Sequence, residues 1–277
     1  MNAATENGPL LYERDGAVAI LTLNRPARFN CVSRGLLDAL DAALATIETD
    51  VTVRAVLLQG AGKHFCTGAD LDEVLAARAD AARLRAFVAR GHAVFRRLER
   101  LPKPTVAAVH GLALAGGFEL LLCCDVVVAA RSARLGDQHA QYGLYPAWGS
   151  TVRLPRLVGR RRALELLYSA RWLDADEALA WGLVNEVVDD ETVGAAARAV
   201  AGRFATRNPG ANAFVKRLSE TTFELDLEDA LAAEAAGAAA GLLTPNTGRG
   251  LAAFEARAEA RFDDEDIAQP APAGNSR

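Results

Sequence analysis

The residues best placed to do chemistry lie in Thr105-Val-Ala-Ala-Val-His-Gly-Leu-Ala-Leu-Ala-Gly-Gly-Phe-Glu119, where an apolar run meets a turn of small residues and then a carboxylate. A helix opening at Phe118-Glu-Leu-Leu-Leu-Cys-Cys124 aims unpaired, partly positive N–H groups at the space before it. Such donors suit an oxygen that becomes negative during a reaction, as a carbonyl oxygen does when an enolate forms. Glu119 falls in the first turn, beside that oxygen, as a candidate acid/base group. A second segment, Gly60-Ala-Gly-Lys-His-Phe-Cys-Thr-Gly-Ala-Asp-Leu71, has the same form: strand, glycine loop and Asp-initiated helix. If the N–H groups of Ala69 and Gly116 converge, they make a two-donor oxyanion hole, in which losing one donor costs about 2.7–4 kcal/mol of transition-state stabilisation. A plainer reading stands beside this one. Paired glycines before a helix serve tight helix–strand packing, and a first-turn glutamate is a favourable dipole partner. Spacing alone neither chooses between the readings nor brings the two loops together.

Holding these loops in place requires strands covered on both faces. Val106 to Val109 is a continuous apolar run, and Ala17-Val-Ala-Ile-Leu-Thr-Leu23 and Arg54-Ala-Val-Leu-Leu-Gln-Gly60 read as two further buried strands. Between those two, Ser33 is a helix N-cap, followed by Leu36, Leu37, Leu40, Leu44 and Ile47 at helical spacing. A long Ala/Arg-rich helical region then runs to about Arg100. Strand 104–110, a short helix 116–124 and strand 125–130 follow, and a strand at Gly182-Leu-Val-Asn-Glu-Val-Val188 comes after helical stretches at Arg161 to Tyr168 and Asp174 to Ala180. Strands alternating with helices predict an α/β fold with largely parallel pairing. Beyond them the chain reads as helical, with Ala-rich runs 194–206 and 228–241 and a last helix near 246–262, a tail suited to covering the core or joining subunits. Segments 1–8 and 267–277 read as disordered from their composition.

At 277 residues the chain can bury roughly three quarters of its unfolded surface, enough for one large domain with a helical appendage. A formal net charge of −4 gives no basic field of the kind nucleic acids demand, so no nucleic-acid partner is expected. Arg96, Arg97 and Arg100, like Arg160 to Arg162, read as solvated helix faces. Cys31, Cys66, Cys123 and Cys124 have neither a disulfide framework nor metal-ligand spacing and read as buried thiols of a reducing compartment. The start of the chain lacks a basic-then-apolar leader, and no run approaches the roughly 20 apolar residues of a membrane span. The expectation is a cytoplasmic protein without a membrane partner.

Several motifs stand in one order: Asn24-Arg-Pro26, His64-Phe-Cys-Thr-Gly-Ala-Asp-Leu71, His110-Gly-Leu-Ala-Leu-Ala-Gly-Gly-Phe-Glu-Leu120, Cys124-Asp125, Leu135-Gly-Asp137, Gly143-Leu-Tyr-Pro146, Arg153-Leu154, Gly159-Arg160 and Ala178-Leu-Ala-Trp-Gly-Leu-Val-Asn185. Together they resemble the crotonase, or enoyl-CoA hydratase/isomerase, superfamily over residues 10–265. The resemblance implies a crotonase-like spiral of repeated ββα units over 9–200 and a C-terminal helical region over 201–266 that serves trimerisation and covers the active site. It also implies a homotrimer or a dimer of trimers. The ligand it implies is an acyl-CoA thioester, its carbonyl oxygen held by Ala69 and Gly116. Coenzyme A would enter as part of the substrate, with no separate cofactor and no metal. By the same resemblance Arg28, Thr67, Gly68, Ala69, Asp70, Leu71, Asp72 and Gly117 would bind the substrate and its CoA portion.

Hydratases resembling this chain carry two glutamates around one water. Glu119 falls on the first position; counting from Gly136, Gly143 and Pro146, His139 falls on the second. Imidazole works as acid or base near neutrality, with an unperturbed pKa of about 6.5, but a neutral ring offers one donor and one acceptor where a carboxylate offers two acceptors. A cationic His139 would favour ionised Glu119 and could bind an acyl group bearing a carboxylate; the position could equally be polar lining. The expected reaction is addition of water to a 2-enoyl-CoA, or its reverse, with Glu119 and His139 catalytic. Double-bond isomerisation is less favoured, because the family's isomerases keep a glutamate where His139 stands. The alternatives are a decarboxylase or hydrolase of another acyl-CoA, or a catalytically weak acyl-CoA-binding homologue. Trp148 is expected to pack under the next helix, Asp137 and Tyr142 to lie near the pocket, His92 at the surface, His110 to be structural, and Lys63 and His64 on an exposed loop.

Overall fold

The computed structural model describes residues 8–264. Strands β1 (Leu10–Asp15), β2 (Val18–Leu23), β3 (Ala55–Gly60) and β4 (Thr105–Val109) are followed by a short β5 (Leu112–Leu114). After them come β6 (Val126–Ala130), β7 (Arg134–Gly136), β8 (Leu173–Asp174) and β9 (Glu186–Val188). Six of these form one sheet in the order β1-β2-β3-β4-β6-β9, and β5-β7-β8 form a second. The large sheet is parallel from β2 to β9, with β1 antiparallel to β2 at its edge. Parallel strands need crossovers, which helices provide. They are α1 (Arg34–Thr49), α2 (Leu71–Ala77), α3 (Ala81–Arg100), α4 (Gly116–Leu121), α5 (Ser150–Val158), α6 (Arg160–Ser169) and α7 (Ala175–Ala180). Four more, α8 (Val193–Ala205), α9 (Pro209–Thr221), α10 (Leu227–Leu242) and α11 (Pro245–Ala256), complete the described chain.

The small sheet explains why the architecture is a spiral. Isolated parallel bridges Val32 to Ala69 and Cys66 to Ala113 continue the β5–β7 ladder backwards along the chain. Each turn therefore gives one strand to the large sheet, a short extended piece to the small one, and then a helix. Successive turns stack, and the extended pieces carrying Ala69 and Ala113 are neighbours in that stack.

The strands at β2, β3 and β4 are apolar because both faces are covered: α8 lies across β3 and β4, and all residues of β2 and β4 are buried. In α1, Leu36, Leu37, Leu40, Leu44 and Ile47 are all buried, and Ser33 Oγ accepts from Leu36 N at 3.1 Å as the N-cap. Arg90 and Arg97 of α3 bind Asp38, Asp41 and Glu48 of α1, so these arginines join two helices rather than simply facing solvent. The Ala/Arg-rich region is two helices, since Asp80 caps a new start by accepting from Ala82 N at 2.8 Å. The last helix ends at Ala256, where Arg257 turns left-handed at φ 51°. Strand β9 is shorter than 182–188; β5, β7 and β8, at two or three residues each, are too short to announce themselves in sequence, and β1 turns polar in its second half. The terminal segments 1–8 and 267–277 lie outside the described residues, apart from Gly8.

Candidate active site

The two glycine loops converge. A methyl group built on Gly116 would lie 3.2 Å from Ala69 N, and one built on Gly68 would lie 3.5 Å from Gly116 N. Hydrogen bonds straddle both N–H groups. Val32 N donates to Gly68 O at 2.7 Å and Asp70 N to Val32 O at 2.9 Å, on either side of Ala69. Ala115 N donates to Gly136 O and Glu119 N to Ala115 O, both at 2.9 Å, on either side of Gly116. Gly116 opens α4, so its own N–H has no acceptor within the helix. Two such donors at the mouth of one helix are able to polarise a carbonyl oxygen. The two glycines divide the earlier readings between them: a Cβ on Gly117 would lie 2.1 Å from Cys66 O, so Gly117 serves close packing.

Glu119 is 1% exposed in the first turn of α4. Its Oε1 accepts from Trp148 N at 2.7 Å and Ser150 N at 3.1 Å, at the start of α5, while Oε2 is buried without a hydrogen-bond partner among the described residues. One oxygen is thus fixed by two backbone donors. Burial pushes the Glu119 carboxyl above the usual carboxylate range, against opposing pulls from His139 and the two backbone donors. Asp137 is equally buried; its Oδ1 accepts from His139 Nδ1 at 2.9 Å and its Oδ2 accepts a close hydrogen bond from Ser150 Oγ. Burial alone would push the His139 ring down, but the Asp137 hydrogen bond and the charges of Asp137 and Glu119 outweigh it, so the net displacement is upward.

The Trp148 ring forms the wall behind these groups. It meets Phe87 at 5.5 Å and Phe95 at 5.3 Å, both of α3, and fills the space a Cβ on Gly91 or Gly116 would need. Trp148 is thus a packing residue, as expected, with its ring set against α3 and the start of α4. Arg153 holds the same segment: its guanidinium binds Glu99 at 2.8 and 2.7 Å and donates to Trp148 O at 2.8 Å.

Comparison with known proteins now decides the family. The sequence profile described as "Enoyl-CoA hydratase/isomerase" matches residues 13–265. The chain belongs to the enoyl-CoA hydratase/isomerase family. It is 39% identical over 226 residues to the short-chain-enoyl-CoA hydratase of Clostridium acetobutylicum, covering 81% of this chain and 86% of that one. It is 36% identical to the mitochondrial methylglutaconyl-CoA hydratase of Rattus norvegicus over 92% of this chain and 82% of that one. A crystal structure of an enoyl-CoA hydratase from Bacillus anthracis superposes with a TM-score of 0.89 at 34% identity, over 93% of this chain and 100% of that one. The crotonase-like spiral expected from sequence is the fold these hydratases share.

Within this hydratase/isomerase-family chain the residues expected to bind CoA divide into two groups. Gly68, Ala69 and half-buried Thr67 line the convergent loops, with Gly68 at φ 119°, where a side chain would be strained. Asp70 is buried and engaged: Arg25 donates to it at 2.7 Å, Arg28 at 3.3 Å, and it caps α2 through Asp72 N at 3.1 Å. Arg28 also pairs closely with Asp72, and both stay solvent-facing, as does Leu71. His139 Nε2 makes no hydrogen bond among the described residues. Tyr142 is 74% exposed, and its N–H donates to His139 O at 3.1 Å. His92 is at the surface, and His110 Nε2 contacts Gly62 O at 2.9 Å as a loop staple. His64 is half-buried rather than exposed, its Nδ1 accepting from Leu112 N at 3.2 Å, which ties its loop to β5. Sequence reasoning missed Ser150 and Arg153 as supports of the site. The available signal was a serine at the first position of a helix, where its N–H is necessarily unpaired.

Proposed function

We propose that this enzyme adds water across the double bond of a 2-enoyl-CoA thioester, or removes it in reverse. The N–H groups of Ala69 and Gly116 hold the thioester oxygen, Glu119 Oε2 takes a proton from the water, and His139 Nε2 serves the α carbon. The observation that carries this reading is Glu119 itself: one oxygen pinned by Trp148 N and Ser150 N, the other buried and unengaged, beside two backbone donors that no loop hydrogen bond uses. Both relatives named above are hydratases, which favours water addition over the decarboxylase and hydrolase alternatives. Coenzyme A arrives with the substrate, and hydration transfers no electrons, so no resident cofactor or metal is required. Arg28, Thr67, Leu71 and Asp72 border the CoA portion. Four free cysteines favour a reducing, cytoplasmic setting, and no helix among the described residues is long and apolar enough to cross a membrane.

Assembly as a homotrimer or dimer of trimers is part of the same proposal. Leu227, Leu231, Leu242, Leu251 and Phe254 on α10 and α11 are exposed, more apolar surface than isolated helices leave in water. Sedimentation at micromolar concentration distinguishes the assemblies, and a monomer there would remove this part of the reading.

Loss of the conjugated absorbance of crotonyl-CoA measures the activity. Glu119→Gln is expected to lower the rate about 10²-fold or more, the scale of general acid–base catalysis. Equal rates for wild type and Glu119→Gln across acyl chain lengths would overturn the proposal. Mass spectrometry of products from malonyl-type substrates identifies the alternatives through carbon dioxide or free CoA.

A further inference from the structure

We propose that Asp137 and Ser150 are positioning residues that hold His139 in its Nδ1-protonated form and join it to Glu119, making a buried Asp–His acid/base unit. This rests on the hydratase reading for its reaction, but not for its geometry.

Asp137 is 1% exposed, and among the described residues no lysine or arginine pairs with it. A buried carboxylate without a cation is costly. The group available to compensate it is His139, whose Nδ1 lies 2.9 Å from Oδ1 and whose backbone N also faces Oδ1, at 3.4 Å. An ionised carboxylate only accepts, so Nδ1 carries the hydrogen. Nε2 is then left as the ring atom that exchanges a proton with substrate. The charged groups acting on the ring are Asp137 from its own segment and Glu119 from α4, both anionic, and α5 contributes only uncharged Ser150. Both charges favour an imidazolium against the burial that opposes it, and Arg153 of α5 acts on Glu119 rather than on the ring.

Ser150 fixes the distance between the two acid/base groups. Its hydroxyl has one hydrogen. That hydrogen goes to Asp137 Oδ2, since the 3.5 Å approach to Glu119 Oε1 is long and that oxygen already accepts from two N–H groups. Ser150 therefore binds Glu119 through its backbone and Asp137 through its side chain, and one residue at the start of α5 sets both carboxylates. In hydration, water gives a proton to Glu119 Oε2 as its oxygen bonds to the β carbon. The π electrons pass into the thioester enolate, and the α carbon then takes the Nε2 proton of the imidazolium as the carbonyl re-forms. The cycle closes when the Glu119 proton returns to His139 Nε2 after product leaves.

Four histidines in the chain make ring-resolved NMR practical, with the His139→Gln spectrum giving the assignment. In the substrate-free wild type we expect a protonated Nδ1 and a titration midpoint above that of a free imidazole. Asp137→Asn should lower that midpoint by about one pH unit or more and lose the Nδ1 signature. The same variant should cut kcat about 10²-fold with KM little changed, and shift the alkaline limb of kcat/KM to lower pH by the same amount. Ser150→Ala keeps the N–H to Glu119 and should lower kcat while leaving KM in place. An unchanged His139 midpoint in folded Asp137→Asn overturns the inference. If that variant does not fold, a wild-type ring that titrates below a free imidazole, or lacks the Nδ1 proton, overturns it equally. Because the titration needs no substrate, failure to hydrate crotonyl-CoA removes the hydratase reading and leaves the Asp–His unit to be judged by NMR.

Discussion

Replacing Ala115 by glycine should stabilise this protein, although glycine usually weakens a fold. Ala115 sits at φ 48° and ψ −122°, the dihedral region of the first corner of type II′ turns, which glycine dominates. Two hydrogen bonds fix it there: its N–H donates to Gly136 O, and its carbonyl accepts from Glu119 N, both at 2.9 Å. The peptide that follows carries the Gly116 N–H, so this strained corner sets the direction of one of the two convergent donors. An L-residue in such a region carries about 1–3 kcal/mol of strain. Glycine removes that strain, while its freer unfolded chain costs about 0.4–1 kcal/mol. The difference leaves Ala115→Gly more stable by roughly 0.5–2 kcal/mol, or on the order of 1–3 °C in melting temperature for a chain of this size. Thermal unfolding at fixed protein concentration is the assay, and activity should stay within about threefold because glycine accepts the same dihedral angles. A lower melting temperature would refute the argument, since it would mean that the methyl group contributes more by packing than the backbone loses by strain.

Gly117→Ala should destabilise by about 3 kcal/mol in urea unfolding, because its Cβ would meet the Cys66 carbonyl at 2.1 Å and backbone cannot rotate away. Arg153→Met removes one of the two arginines that pair with Glu99, leaving Arg96 at 2.7 Å, and frees the Trp148 carbonyl, so a loss of roughly 1–3 kcal/mol is expected, with kcat falling as the segment that pins Glu119 loosens. Burial pushes the Cys66 thiol up to about 12 and Cys123 well above its ordinary range. Both folded values exceed the unfolded value of about 8.5, so stability is complete below that pH and declines as pH rises above it. Lys103, pushed down to about 8 by burial, works the other way, since the unfolded chain holds more protons up to roughly pH 10.4, but it is one group against three, burial also pushing Cys124 up to about 12. Melting temperature should therefore fall above about pH 9, with a shallower fall in Cys66→Ala; a rise through that range would contradict the assignment.

Features that depend on neighbours along the chain were legible in the residues alone. Leucines at helical spacing after Ser33 made α1, unbroken apolar runs made the buried strands, and Gly116-Gly117 before Glu119 marked a helix start fit for an anion. The ordered motifs were specific enough to give the family, and with it the spiral. Tertiary structure decided whatever required one turn of the spiral to stack on another. It brought Ala69 to Gly116 across more than forty positions, placed Trp148 against α3, and set Ser150 between Glu119 and Asp137. It also gave His139 a carboxylate partner two residues away, which spacing could not reveal because only the backbone turn at Gln138, φ 60°, folds one side chain back onto the other. Periodicity reports which face of an element is buried. Which two buried faces meet, and which polar atoms are left without a partner between them, follows from chain stacking in three dimensions.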